Sequence, residues 1–280
     1  MMRIDSHQHF WRVSRGDYFW MSPDVEMLYR DYGPEDLQPL LARHGIDRTI
    51  LVQAAPTVAE TEFMLETAEA APFVAGVVGW VEFSDPDAAQ TIERLAANPL
   101  IVGFRPMVQD IPDDDWLLRP DLAVAFRTLV EQRLVFDALV LPRHLSRALV
   151  VADRYPDLSI VVDHGAKPFI REGLLDPWRA DIAAMAARPN TVCKLSGLVT
   201  EAQAEWAVDD LRPYVDHLLK VFGPERLLWG SDWPVVNLAG GYERWRNTTQ
   251  DLIAGLSDTE KAAILGNNAA RIYLRDRGRR

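Results

Sequence analysis

Ile4-Asp5-Ser6-His7-Gln8-His9-Phe10 opens the chain with a short strand-like stretch that runs into two histidines, and seven further strand-like runs follow downstream. In an extended strand successive side chains alternate faces, so His7 and His9 project to one side and Ile4 and Ser6 to the other. The first strand covers about Arg3 to His7. Further brief apolar runs follow at Thr49 to Gln53, Val74 to Trp80, Ile101 to Arg105, Val135 to Ala138, Ser159 to Asp163, Thr191 to Leu195 and Leu227 to Gly230. Segments with apolar residues at helical spacing lie between them, such as Met64, Leu65 and Ala68, or Leu211, Val215, Leu218 and Phe222. That alternation is the signature of a parallel α/β sheet. Eight strand-helix units in 280 residues, against a typical ~250, predict a (β/α)8 TIM barrel.

Local signals agree with this reading. Pro34 opens a helix that Gly45 ends, the expected asymmetry of proline at the start and glycine past the end. Asp85 is read as the N-cap of the third helix, and another helix runs from Pro142 to Tyr155. Two further helices close the chain. No linker, repeat or low-complexity segment divides residues 1–280, which are read as a single domain. An open doubly wound sheet is the alternative. Its nucleotide-binding form would need a glycine-rich turn, and neither GxGxxG nor GxxxxGK occurs.

Charge narrows the partners. The formal net charge is −11, and no basic stripe appears outside the tail Arg275 to Arg280, which is read as a frayed terminus. Phosphate backbones need clustered cations, so nucleic acid is excluded. No stretch approaches ~18 uninterrupted apolar residues, so no membrane partner is expected. The single cysteine, Cys193, rules out an intramolecular disulfide and is read as packing, which suits a cytoplasmic protein. A homo-oligomer is left open.

In such barrels the active site lies at the carboxyl ends of the strands. The polar residues there are His7 and His9, Gln53, Arg105, Asp137, Asp163 and His164, Lys194 and Asp232. Strands that faced only packing layers would end in apolar or capping residues, so this convergence is the main functional signal. Asp232 and His164 are read as functional, and Arg105 as a group able to grip a carboxylate or lactone carbonyl. Gln53 and Lys194 are candidate substrate contacts. Trp11, Trp20 and Trp233 offer indole faces on which a sugar or aromatic ring could stack. His44 and His217 fall in helices and are read as surface or capping residues, and His144 as lying at the edge of the site.

His7-Gln8-His9, Asp163-His164 and Gly230-Ser231-Asp232-Trp233-Pro234, in this order, resemble the amidohydrolase superfamily of the amidohydrolase-2 type. Phe104-Arg105-Pro106, Lys194-Leu195-Ser196-Gly197 and Gly266-Asn267-Asn268-Ala269 fit the same pattern. Within it the chain is similar to the sugar-lactonase branch, the fuconolactonase-like and pyrone-dicarboxylate-lactonase-like hydrolases. The resemblance implies water attack on the carbonyl of a small lactone, an aldonolactone such as L-fucono- or L-rhamnonolactone or a muconolactone-type acid, with Asp232 as general base. It also implies that His7, His9, His164 and Asp232 line a metal position or its vestige. Two departures count against a two-metal site: no histidine ends strand five, and strand four ends in Arg105. The expectation is one divalent ion, zinc, with a metal-independent reaction as the other course. A metal-dependent decarboxylase of aromatic or unsaturated acids is the alternative function, and a non-catalytic binding barrel the third.

Overall fold

A computed structural model describes residues 2–275. Of the arginine-rich tail, all but Arg275 lies outside the described residues. Eight strands form one all-parallel sheet in sequential order: β1 Ile4–Gln8, β2 Arg48–Val52, β3 Val74–Gly79, β4 Ile101–Phe104, β5 Val135–Ala138, β6 Ser159–Val162, β7 Thr191–Leu195 and β8 Leu227–Trp229. Helices α1 Pro34–His44, α2 Val58–Ala70, α3 Ala88–Ala96, α4 Ala123–Glu131, α5 Leu145–Arg154, α6 Trp178–Ala186 and α7 Val208–Phe222 fill the crossovers. After β8 come α8 Gly241–Leu252, α9 Asp258–Ala262, a π turn Ala263–Asn267 and α10 Asn268–Tyr273. This is the (β/α)8 barrel. Among the described residues no helix is long and apolar enough to cross a membrane.

Side chains help to close the seam between β8 and β1. The Ser6 hydroxyl donates to the Trp229 carbonyl at 2.8 Å, and the Ser231 N–H donates to the Asp5 carboxylate at 2.8 Å. Beyond the strand ends, Asp232 N–H donates to the His7 carbonyl and His9 N–H to the Trp233 carbonyl, each at 2.8 Å. These bonds satisfy buried backbone groups that the last strand pair would otherwise leave open.

The interior is plugged by one apolar layer: Ile4, Ile50, Val52, Val78, Val102, Val135, Val161, Val192 and Leu228. Ile272 and Tyr273 of α10 pack beneath it and close the amino-terminal end. Ile4 therefore faces inward, on the same side as His7, which departs from strict alternation. The register between β1 and β2 shifts between Asp5 and Gln8, and such an irregularity re-aims the following side chains.

Three local expectations change. The third helix starts at Ala88 with Asp87 at the N-cap, and Asp85 accepts from the Asp87 N–H at 2.8 Å in the turn ahead of it. The fifth begins with a 3-10 turn at Pro142–His144. Three helices rather than two follow β8. Cys193 is fully buried and burial pushes its thiol up, in keeping with a packing role.

Candidate active site

β1 and β8 are neighbours across the seam, so the sequence-distant His7, His9 and Asp232 meet at one end of the barrel. His9 is oriented by its Nδ1, 2.7 Å from the Val52 carbonyl. A carbonyl only accepts, so Nδ1 carries the proton and a neutral His9 turns its Nε2 lone pair inward. That lone pair faces Asp232 Oδ1 at 3.3 Å. His7 Nε2 lies 3.8 Å and His164 Nε2 4.0 Å from the same oxygen. His164 is held from behind by Ser196 Oγ, 2.9 Å from its Nδ1.

Backbone shape makes these approaches fit. His164 has φ +54 and Asp232 φ +58, left-handed conformations that His and Asp adopt more readily than bulkier residues. Gly197, at φ +60, passes so close to His164 that a Cβ there would lie 2.4 Å from its Nδ1. A Cβ on Gly230 would lie 2.7 Å from that of His7. Both glycines make room for a histidine.

A second tier of charge lies under the histidines. Lys194 Nζ, fully buried, donates to Asp137 Oδ2 at 2.6 Å and lies 2.9 Å from Asp163 Oδ1 and 3.0 Å from His7 Nδ1. Asp137 also accepts from the Tyr273 hydroxyl at 2.8 Å. Arg105 Nη1 lies 3.3 Å from Asp163 Oδ2 and 3.2 Å from His7 Nε2, and its Nη2 donates to the Gln53 carbonyl. The Gln53 amide donates back to the Arg105 carbonyl at 2.7 Å. Two buried cations thus interleave with buried carboxylates, the arrangement that lets charges leave water.

Titration follows from these contacts. Burial lowers His7 well below the ordinary imidazole value, and the Lys194 charge lowers it further. Burial pulls His164 down to about 4. For Asp232 burial acts upward, but the attraction of His164 and the contacts with His9 and His7 outweigh it and hold the carboxyl below its ordinary range. Asp163 is likewise held low by Lys194 and His7 against its burial. Burial carries Asp137 up to about 6 despite Lys194.

With its Nδ1 proton on the Val52 carbonyl, His9 can offer an Nε2 lone pair beside the Asp232 carboxylate, and His7 and His164 bring imidazole nitrogens within 4.0 Å of the same oxygen, so the donor set fits a metal ion. His7, His9 and Asp232 bring ligand atoms within 4.8 Å of one another, and His7, Asp163 and His164 form a second such group. Of the expected four, His7, His9 and Asp232 fall in the first group and His164 in the second, with its Nε2 still 4.0 Å from Asp232 Oδ1. The two groups share His7, which suits one ion rather than two.

Other expected contacts have different tasks. Lys194 spends its ammonium on Asp137, Asp163 and His7 and keeps no face toward a substrate. Gln53, fully buried, brackets Arg105. Trp11 and Trp233 are buried against Tyr32, so the expectation of exposed indoles fails for both, while Trp20 stays half-buried with its N–H on the Ala54 carbonyl at 2.6 Å. Sequence reasoning left out Ser196, Lys167 and Glu201. Lys167 pairs with Glu201 at 3.6 Å, within electrostatic reach of His164 and Asp232. Their signal was position, since Lys167 follows Asp163-His164 by three residues and Ser196 follows Lys194 by two.

Residues 4–275 match the family described as amidohydrolase. The chain is 45% identical over 279 residues to an L-fucono-1,5-lactonase of Burkholderia ambifaria, covering 98% of this chain and 96% of the relative. It is 38% identical to an L-fucono-1,5-lactonase of Burkholderia multivorans, covering 97% and 96%. Among solved structures it is similar to an amidohydrolase of Burkholderia multivorans with bound zinc, at 38% identity and a TM-score of 0.92, covering 98% of this chain and 99% of that one.

Proposed function

The chain belongs to the amidohydrolase family, and on that premise we propose that it is a lactonase that hydrolyses a sugar 1,5-lactone of the L-fuconolactone kind. The relatives named for that hydrolysis match nearly the whole chain. The observation that carries the mechanism is the convergence of three imidazole Nε2 atoms on one oxygen of Asp232. Decarboxylation of an aromatic or unsaturated acid has less support, since strand five brings Asp137 rather than a further histidine to the site. A sugar acid would be the product, which places the enzyme in carbohydrate breakdown. The single buried thiol suits a reducing cytoplasm.

His7, His9 and Asp232 would hold the metal ion, and zinc is the ion we assign. When bound, such an ion supplies Lewis acidity toward water and the lactone carbonyl. Asp232 turns Oδ1 to the histidines, while Oδ2 has no partner among the described residues and is the atom that takes the proton from water. Held below its ordinary range, the carboxyl is ionised at neutral pH and ready to accept. As water adds, negative charge grows on the carbonyl oxygen. The fixed Arg105 cation, with Nη1 3.2 Å from His7, stabilises that charge through its field. Asp232 then returns the proton to the ring oxygen as it leaves, so one carboxylate serves both halves of the ring opening. The Ser196 contact keeps His164 turned toward Asp232. Trp20 is the indole we assign to the sugar face.

Asp232→Asn keeps the shape and removes the base. Turnover of a panel of aldono-1,5-lactones, followed by proton release, falls roughly a hundredfold or more. Undiminished turnover would remove Asp232 from the mechanism, and carbon dioxide released from an aromatic acid in place of ring opening would install the decarboxylase reading. Metal analysis of the purified protein gives one ion or fewer per chain. Chelation removes activity and zinc restores it, whereas full activity in metal-free protein would assign the reaction to the side chains alone.

A further inference from the structure

A cavity of about 560 Å³ opens between the start of β1, α8 and α9. Arg3, Arg246, Lys261, Gln250 and Asp258 line it, with Ile253 and Leu265 as an apolar wall. Arg3 precedes β1, whose opposite end carries His7, so the cavity belongs to the amino-terminal side of the barrel. None of its lining residues takes part in the site described above.

Arg246 gives the cavity its chemistry. The residue is 2% exposed, and its Nε and Nη1 are buried without a hydrogen-bond partner. Among the described residues no ion pair includes it, and its guanidinium stacks only 5.3 Å from the Trp229 ring. Arginine cannot shed its proton to escape burial. A buried, unpaired cation is strongly unfavourable, and a cation–π contact offsets only part of that cost. Lys261 spends one N–H on the Ala254 carbonyl at 3.0 Å and makes no ion pair among the described residues, and the same is true of the Arg3 guanidinium. Three cations line the cavity against one lining carboxylate, Asp258, with the buried Asp5 carboxylate also within electrostatic reach of Arg246, which leaves a local excess of positive charge in a chain whose net charge is −11.

We propose that this cavity is a binding site for a small organic oxyanion, a phosphate or carboxylate whose anionic group lies on Arg246 and Lys261. An inorganic anion alone would leave much of the volume unused. The Gln250 amide and the Ile253 and Leu265 wall suit a ligand with a polar, carbon-bearing remainder.

The test is calorimetric titration of the full-length protein with sodium phosphate and, separately, sodium gluconate, at ionic strength fixed with sodium chloride. Saturable binding of at least one of them is expected, with Kd raised tenfold or more in Arg246→Gln and severalfold in Lys261→Gln. Phosphate binding without gluconate binding assigns a phosphate ligand; gluconate binding weakened by Arg246→Gln or Lys261→Gln assigns a carboxylate, whereas gluconate bound as a product analogue at the catalytic site is left unchanged by both. Should Arg246→Gln fail to fold, Lys261→Gln and Arg3→Gln on the accessible rim carry the same comparison. No saturable binding of either anion, or binding that all three substitutions leave unchanged, overturns the proposal.

Discussion

The two ends of the barrel solve opposite problems with the same eight strands. At the carboxyl end, histidines, carboxylates, Lys194 and Arg105 crowd into a buried cluster, and nearly every charge there is matched by an opposite one. At the amino end, the interior is aliphatic, and Ile272 and Tyr273 seal it from below. Tyr273 spans the two, with its ring in the apolar plug and its hydroxyl on Asp137. The contrast teaches that this fold fills one end with apolar packing and places chemistry at the other, as parallel barrels do. The polar end stays buried only because its charges compensate one another.

Removing one partner from each end probes that division. Lys194→Met leaves Asp137 and Asp163 buried without their cation, and an uncompensated buried charge costs about 3–5 kcal/mol. The expected fall in Tm is on the order of 10 °C, together with lost turnover because His7 loses its neighbour. A Tm near wild type would mean that the second tier does not bear on folding. Ile272→Ala cuts the plug and costs about 2–5 kcal/mol through a cavity, while kcat/KM of the folded protein stays unchanged. A lower kcat/KM in that variant would break the separation of the two ends.

A smaller effect comes from Glu60, a buried carboxyl that accepts from the Tyr18 hydroxyl at 2.9 Å and the Ala54 N–H at 3.1 Å. Burial raises it from 4.5 to about 7, so between those values the folded chain holds a proton that the unfolded chain has released. Its stabilising contribution is full below 4.5 and is lost as pH rises through 7. Tm of the wild type should therefore drop by a few degrees more between pH 5 and pH 8 than Tm of Glu60→Gln. Equal drops would show that Glu60 titrates normally in the fold.

Much of this was legible in the residues. Strands covered on both faces read as short apolar runs, which is why all eight could be placed to within a residue or two. Polar groups at their ends marked the site, because a packing layer has no use for His7, Arg105 or Asp232 there. Helix α6 went unread because its alanine-rich face gives little contrast between its sides. Spacing could not show that Trp11 and Trp233 are buried, since exposure depends on what the rest of the chain lays over a ring. Nor could it show that Lys194 is enclosed by Asp137, Asp163 and His7, which arrive from three other strands.

The seam between β8 and β1 has a consequence for how activity first appears. His9 and Asp232 stand 223 positions apart in sequence, yet share one contact. Bringing such distant segments together carries a large loop-closure entropy, to be met by contacts formed across the intervening strands. While the chain is being synthesised, the two leading histidines emerge long before their carboxylate, and the contact with Asp232 waits until the last strand docks beside the first. Catalysis therefore begins only on circular closure. A ribosome-bound or truncated chain lacking β8 can hold most of the barrel's mass and none of its turnover, which makes lactone hydrolysis a direct readout of completed assembly.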